Sequence, residues 1–253
     1  MDQPSGGRYV ACGEVDMYTE IRGTGPDLLL LHGGAGSIAD LDGLRERLVG
    51  TRRVIAPDQR GHGRTADVGE MSYAAMTADT AALLDALGAR ETDVVGWSDG
   101  GIVGLMLAID RPDLVRRIVA ISANAAESGA PTPLRASATA WIAAAGSADL
   151  KMPELDPELP GLAASWPGTA GRILEMWRRV PDLTLATMTS ITCPVLFVSG
   201  DRDIVTLEHS VAMHRAVIGS QLAVVPGANH SLAQTRTDRV ARLVLEFIEA
   251  STP

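Results

Sequence analysis

Ser98 lies in Gly96-Trp97-Ser98-Asp99-Gly100, a G-x-S-x-G spacing. The pattern suits covalent catalysis, because it places a serine hydroxyl on a sharp turn between a strand and a helix. Such a turn brings strand and helix so close that the positions two before and two after the serine must be tiny. Gly96 and Gly100 meet that demand, and Gly101 adds clearance. The strand-like run Asp93–Trp97 leads into the turn, and the apolar helical stretch Ile102–Asp110 leads out. Gly and Ser are common, so the motif alone is weak; this framing makes it a nucleophile elbow.

A serine hydroxyl attacks only when a base takes its proton, and the base needs an acid to orient it. The chain has five histidines. His32 and His62 precede Ser98 in tight turns, and His209 and His214 fall on a helix expected at the surface. His230, in Pro226-Gly227-Ala228-Asn229-His230-Ser231, follows a strand pattern and precedes the last helix, which makes it the best base. Gly200-Asp201-Arg202-Asp203 follows the preceding strand and offers two carboxylates. Asp203 is favoured, since the first Asp of such a loop more often serves the turn itself; Asp201 stays open. The order Ser98, Asp203, His230 is unlike that of the trypsin-like or subtilisin-like proteases.

The tetrahedral intermediate of such an attack needs fixed N–H donors. The Asp99 N–H begins the helix after the nucleophile and feels its positive end. A second donor is expected from His32-Gly33-Gly34-Ala35-Gly36, where glycine lets backbone approach a substrate. Gly34 comes first, with Ala35 as the rival. Neither G-x-x-x-x-G-K-[ST] nor G-x-G-x-x-G occurs here, so this is a poor phosphate cradle. The Asp99 side chain is an odd neighbour for an oxyanion. It suits a substrate carrying an ammonium, or, more simply, it points outward and stabilises its own helix.

The elements that hold these residues alternate. Strand patterns at Leu28–Leu31, Arg53–Ala56, Asp93–Trp97, Arg117–Ile121, Pro194–Val198 and Leu222–Val225 are separated by helical ones. The helical stretches run roughly Ile38–Val49, Tyr73–Leu87 (stopped by Gly88), Ile102–Asp110, Glu208–Val217 and Arg239–Ala250. This alternation predicts βαβ units and a mostly parallel sheet with helices on both faces. Arg8–Ala11 and Val15–Arg22 read as an antiparallel hairpin at the sheet edge. From about 125 to 190 the pattern changes. Seven prolines and three of the four Trp fall there, and no strong strand run does. The segment is expected to be a helical cap inserted between core portions 1–124 and 191–253. Trp141, Trp166 and Trp177 of the cap, with Trp97 of the elbow, are candidate substrate contacts.

Composition excludes other classes. The chain has 253 residues, 46% of them hydrophobic and 21% charged, and needs no metal or disulfide staple to build a core. A net charge of −9 disfavours nucleic acid or an anionic membrane as partner. No run approaches 18 apolar residues, and the N-terminus lacks a secretory pattern, so the expected address is the cytoplasm. Cys12 and Cys193 are expected to be reduced thiols. No metal-ligand cluster is visible: His209 and His214 are five apart, which sets them on different helix faces.

Leu31-His32-Gly33-Gly34, Asp58-Gln59-Arg60-Gly61-His62-Gly63, Gly96 to Gly101, Gly200 to Asp203 and Gly227 to His230 occur in this order. Together they resemble the α/β-hydrolase superfamily over about residues 9 to 250. The Gly-Trp-Ser-Asp-Gly-Gly stretch is similar to the valacyclovir hydrolase-like (biphenyl hydrolase-like) esterases. The resemblance implies an α/β-hydrolase fold, a serine hydrolase acting on a small carboxylic ester, lactone or thioester, and no cofactor. It implies a structural role for the 58–63 turn. Alternatives on the same three residues are C–C bond hydrolysis, perhydrolysis or a tailoring step. A ligand-binding receptor on the same fold would be another class, and it would not need all three. Ser98 argues against the Asp-nucleophile epoxide hydrolases and haloalkane dehalogenases.

Overall fold

A computed structural model describes residues 6–125, 170–178 and 183–250. Among them, eight strands form one sheet: β1 (Arg8–Cys12), β2 (Val15–Arg22), β3 (Asp27–Leu31), β4 (Arg53–Pro57), β5 (Thr92–Trp97), β6 (Val115–Ile121), β7 (Val195–Gly200) and β8 (Gln221–Val225). Their order is β1-β2-β4-β3-β5-β6-β7-β8. β2 pairs antiparallel with β1 and β4, and all other pairings are parallel. The expected edge hairpin is therefore present, joined to a parallel sheet.

Alternation along the central strands divides the core. Leu29, Leu31, Val94, Ile118 and Phe197 face one side, with residues of α2 (Tyr73–Leu87), α3 (Asp99–Asp110) and α6 (Leu207–Ala216). Leu28, Leu30, Val95, Val119 and Val198 face the other, against α1 (Asp42–Leu48), the short α7 (Leu232–Thr235) and α8 (Thr237–Glu249). Both faces are covered, so β5 and β7 are buried throughout. That is why these strands read as continuous apolar runs. On α8, Val240, Val244, Phe247 and Ile248 make one buried stripe at helical spacing. α2 begins at Ser72, whose hydroxyl accepts from the Ala75 N–H, and ends at Gly88, whose φ of 65° closes the helix.

Two elements differ from expectation. The stretch after β3 splits into a 3-10 turn at Ile38–Leu41 and then α1. α3 starts at Asp99, three residues early. Glycine disfavours helix in isolation, so Gly100-Gly101 read as turn, but close packing on the sheet overrides that preference. Most of the expected cap lies outside the described residues, including Trp141 and Trp166. Its described parts are α4 (Ala170–Arg178) and the short α5 (Leu185–Met188).

Candidate active site

In a parallel sheet all carboxyl ends lie at one edge, where open α/β sheets bind ligands. Here β3 runs into the His32–Gly36 loop, β5 into Ser98, β6 into Ser122, β7 into Asp203, and β8 into the loop carrying His230. Ser98 has φ 54° and ψ −120°, a backbone state that few side chains tolerate. Its N–H is tied to the Ile121 carbonyl at 2.8 Å.

The three residues expected to act together meet. His230 Nε2 lies 3.0 Å from Ser98 Oγ, and His230 Nδ1 lies 2.8 Å from Asp203 Oδ1. With Nδ1–H donated to the carboxylate, Nε2 accepts from the serine. Asp203 is fully buried at its carboxylate. Burial pushes its pKa up, but the hydrogen bond and charge of His230, then Ser122 and the Val205 N–H, outweigh it and hold the carboxyl below the usual range. Asp201 instead accepts from the Ala228 N–H at 3.2 Å, within the turn. Trp97 is buried and donates its indole N–H to the His230 carbonyl at 2.8 Å, so it grips the histidine loop.

The His32–Gly36 loop is held from behind by two histidines. The Ala35 N–H donates to His62 Nε2 at 3.2 Å, and the Gly36 N–H donates to the Gly33 carbonyl. No such bond engages the Gly34 N–H among the described residues. The geometry therefore favours Gly34 over Ala35 as the free donor. His62 Nδ1 donates to the Arg60 carbonyl, and His32 bridges the Gly33 carbonyl and the Gln59 N–H. The two rings are 5.2 Å apart. Sequence reasoning placed the 58–63 turn as structural but missed this grip on Ala35.

Burial lowers the pKa of His32 to about 4 and, with the neighbouring His32, that of His62 to about 3. In the unfolded chain both would titrate near 6.5. Between pH 6.5 and 4 the unfolded state thus binds more protons, so stability is intact above 6.5 and falls as pH drops through this window. For His32 alone the expected loss is about 3 kcal/mol. Urea unfolding midpoints at pH 7 and pH 4.5 should show it, and His32→Gln should flatten the dependence.

Asp99 is not the outward-facing helix residue expected. It is 4% exposed, and both carboxylate oxygens are engaged. Tyr73 donates its hydroxyl to Oδ1 at 2.9 Å, and Trp177 on α4 donates its indole N–H to Oδ2 at 2.7 Å. Because the helix starts at Asp99 itself, the side chain turns in under α4. Burial raises its pKa, and the hydrogen bonds from Trp177 and Tyr73 offset part of the rise. A β-carbon added at Gly34 would meet this carboxylate and the Trp177 ring, so all three pack together. His209 also differs: it is buried, and its Nε2 accepts from the Ala125 N–H at 3.0 Å. Among the described residues, no group of His, Cys, Asp and Glu is arranged to hold a metal ion. No helix described is long and apolar enough to cross a membrane.

A family model described as the alpha/beta hydrolase family matches residues 28–243. The pimeloyl-(acyl-carrier protein) methyl ester esterase of Neisseria meningitidis is 31% identical over 242 residues, 87% of this chain and 92% of that protein. A candidate carbamate hydrolase, RutD, of Azorhizobium caulinodans is 35% identical over 122 residues. That match spans 48% of this chain and only 46% of the relative's length. A hydrolase from Pseudomonas aeruginosa has the same fold, with a TM-score of 0.82 at 22% identity over 98% of this chain and 100% of that one.

Proposed function

The chain belongs to the alpha/beta hydrolase family, its likeness to esterases makes it a hydrolase of ester bonds, and from that premise we propose a serine hydrolase that works through an acyl-enzyme. The observation that carries the reading is the unbroken chain Ser98–His230–Asp203, with hydrogen bonds of 3.0 and 2.8 Å. His230 takes the Ser98 proton as the oxygen attacks the carbonyl of a small carboxylic ester, lactone or thioester. The resulting oxyanion rests on the N–H groups of Asp99 and Gly34. His230 then protonates the leaving group, and water activated by the same nitrogen releases the acid. Asp203 fixes the tautomer and stabilises the imidazolium. Trp177, packed over Gly34 and Asp99, bounds the space beside the oxyanion.

Among the described residues no Arg or Lys pairs with Asp99, and its two oxygens are already satisfied by Tyr73 and Trp177. This supports a neutral substrate at that side. A fluorophosphonate probe should label wild type at Ser98 and fail to label Ser98→Ala. A matched pair of esters, one with an α-ammonium and one uncharged, should be hydrolysed at comparable kcat/KM. A wild type that neither labels nor cleaves any ester would favour the receptor reading. A strong preference for the cationic ester that Asp99→Asn abolishes would overturn the neutral-substrate reading.

A further inference from the structure

Among the described residues, four non-glycine positions have positive φ: Ala35, Glu91, Ser98 and Ser122. Three of these sit at carboxyl ends of strands around the site. Ala35 belongs to the oxyanion loop and Ser98 is the nucleophile. Ser122, with φ 50°, has no part in the chemistry described so far. Non-glycine residues hold this conformation at a cost, and such strain clusters where function demands a particular aim. Ser122 is 1% exposed at the end of β6, and its N–H is fixed to the Val198 carbonyl of β7 at 2.8 Å. Its hydroxyl donates to Asp203 Oδ2 at 2.5 Å.

The two oxygens of Asp203 thus have separate partners. Oδ1 takes His230 Nδ1–H and the Val205 N–H. Oδ2 has only Ser122 among the described hydrogen bonds. We propose that Ser122 is a positioning residue that fixes the Asp203 carboxylate plane and, through it, the orientation and basicity of His230. This rests on the triad reading above.

Glycine would adopt the same backbone conformation without strain but would leave Oδ2 with no donor. The left-handed serine is therefore explained by its hydroxyl and not by the turn. Losing the hydroxyl concentrates negative charge on the carboxylate facing His230. That stabilises the imidazolium, so the acid limb of the kcat/KM profile should move to higher pH. Among the described residues the charged groups bearing on His230 are Asp203 and, from α3, the buried Asp99. Asp99 is left unchanged by a substitution at 122.

The experiment compares wild type, Ser122→Gly and Ser122→Ala on one activated ester across pH, with Tm for each. The expected result is a kcat about tenfold to 100-fold lower in both variants, because small errors of aim cost that much. The acid limb should rise in both, while the Gly variant, relieved of backbone strain that the Ala variant keeps, should have the higher Tm of the two. The downfield proton resonance of His230 Nδ1–H should titrate at correspondingly higher pH. An acid limb unmoved in the variants overturns the proposal whatever happens to kcat, since a merely structural serine changes the amount of folded enzyme and not its titration. If neither variant folds, the hydroxyl is a structural requirement and the proposal falls. Fluorophosphonate labelling of wild type keeps this outcome separate from failure of the triad itself.

Discussion

Ser98→Ala and His230→Ala are each expected to lower kcat by about 10⁴- to 10⁶-fold, and the double variant should be little worse than either. In the proposed mechanism the two groups act as one unit: the imidazole at 3.0 Å has no task without the hydroxyl, and the hydroxyl is inert without the imidazole. Additive losses would show that they work separately and would sink the shared mechanism. Asp203→Asn should cost about 10⁴-fold, because an amide can donate to Nδ1 and so favour the wrong tautomer. Asp201→Asn is the control. Among the described residues its carboxylate makes one hydrogen bond, accepted from the Ala228 N–H, and an asparagine carbonyl can accept the same bond, so near-wild-type kcat is expected. Reversal of these two results would transfer the acid role to Asp201. Residual activity in the triad variants should remain above the uncatalysed rate, since the Gly34 and Asp99 N–H groups stay in place.

The sheet and the meeting of Ser98, Asp203 and His230 were legible because their signals are local. β3, β5 and β7 are buried on both faces and so appear as apolar runs, and Ser98, Asp203 and His230 each lie in the segment that follows a strand, β5, β7 and β8. What was not legible depends on side chains meeting across long separations. Ser122 reaches Asp203 over 81 positions, and Trp177 reaches Asp99 over 78. Neither pair leaves a periodicity or motif. The burial of Asp99 was misjudged because a polar residue at a helix start ordinarily faces water. Its inward direction is fixed by Tyr73 and by α4, whose position over the sheet no local pattern records. The grip of His62 on Ala35 had one usable signal: two histidines in tight turns that both follow parallel strands adjacent in the sheet.

Gly100→Ala should cost about 3 kcal/mol of stability and, in the enzyme that still folds, about 100-fold in kcat. A β-carbon there would overlap the Leu31 carbonyl oxygen and lie 2.6 Å from that of His32. Both are backbone atoms, so no side-chain rotation can relieve the overlap. α3 would have to withdraw from β3, or β3 from α3. Either movement separates the Asp99 N–H from the Gly34 N–H, and the oxyanion donors lose their common focus. The helix itself gains about 1 kcal/mol from replacing glycine with alanine, which the overlap must exceed. Gly104→Ala, one turn further along α3, isolates that gain. Its nearest contact would be Val94 Cγ1 at 3.0 Å, a side-chain methyl that can yield by a few tenths of an ångström. Chemical unfolding of the two variants should therefore diverge, with Gly104→Ala near wild type in stability and kcat. Equal stability and equal kcat in both variants would mean that the elbow accommodates a β-carbon at Gly100, and that the close approach of α3 to β3 is not what fixes the oxyanion donors.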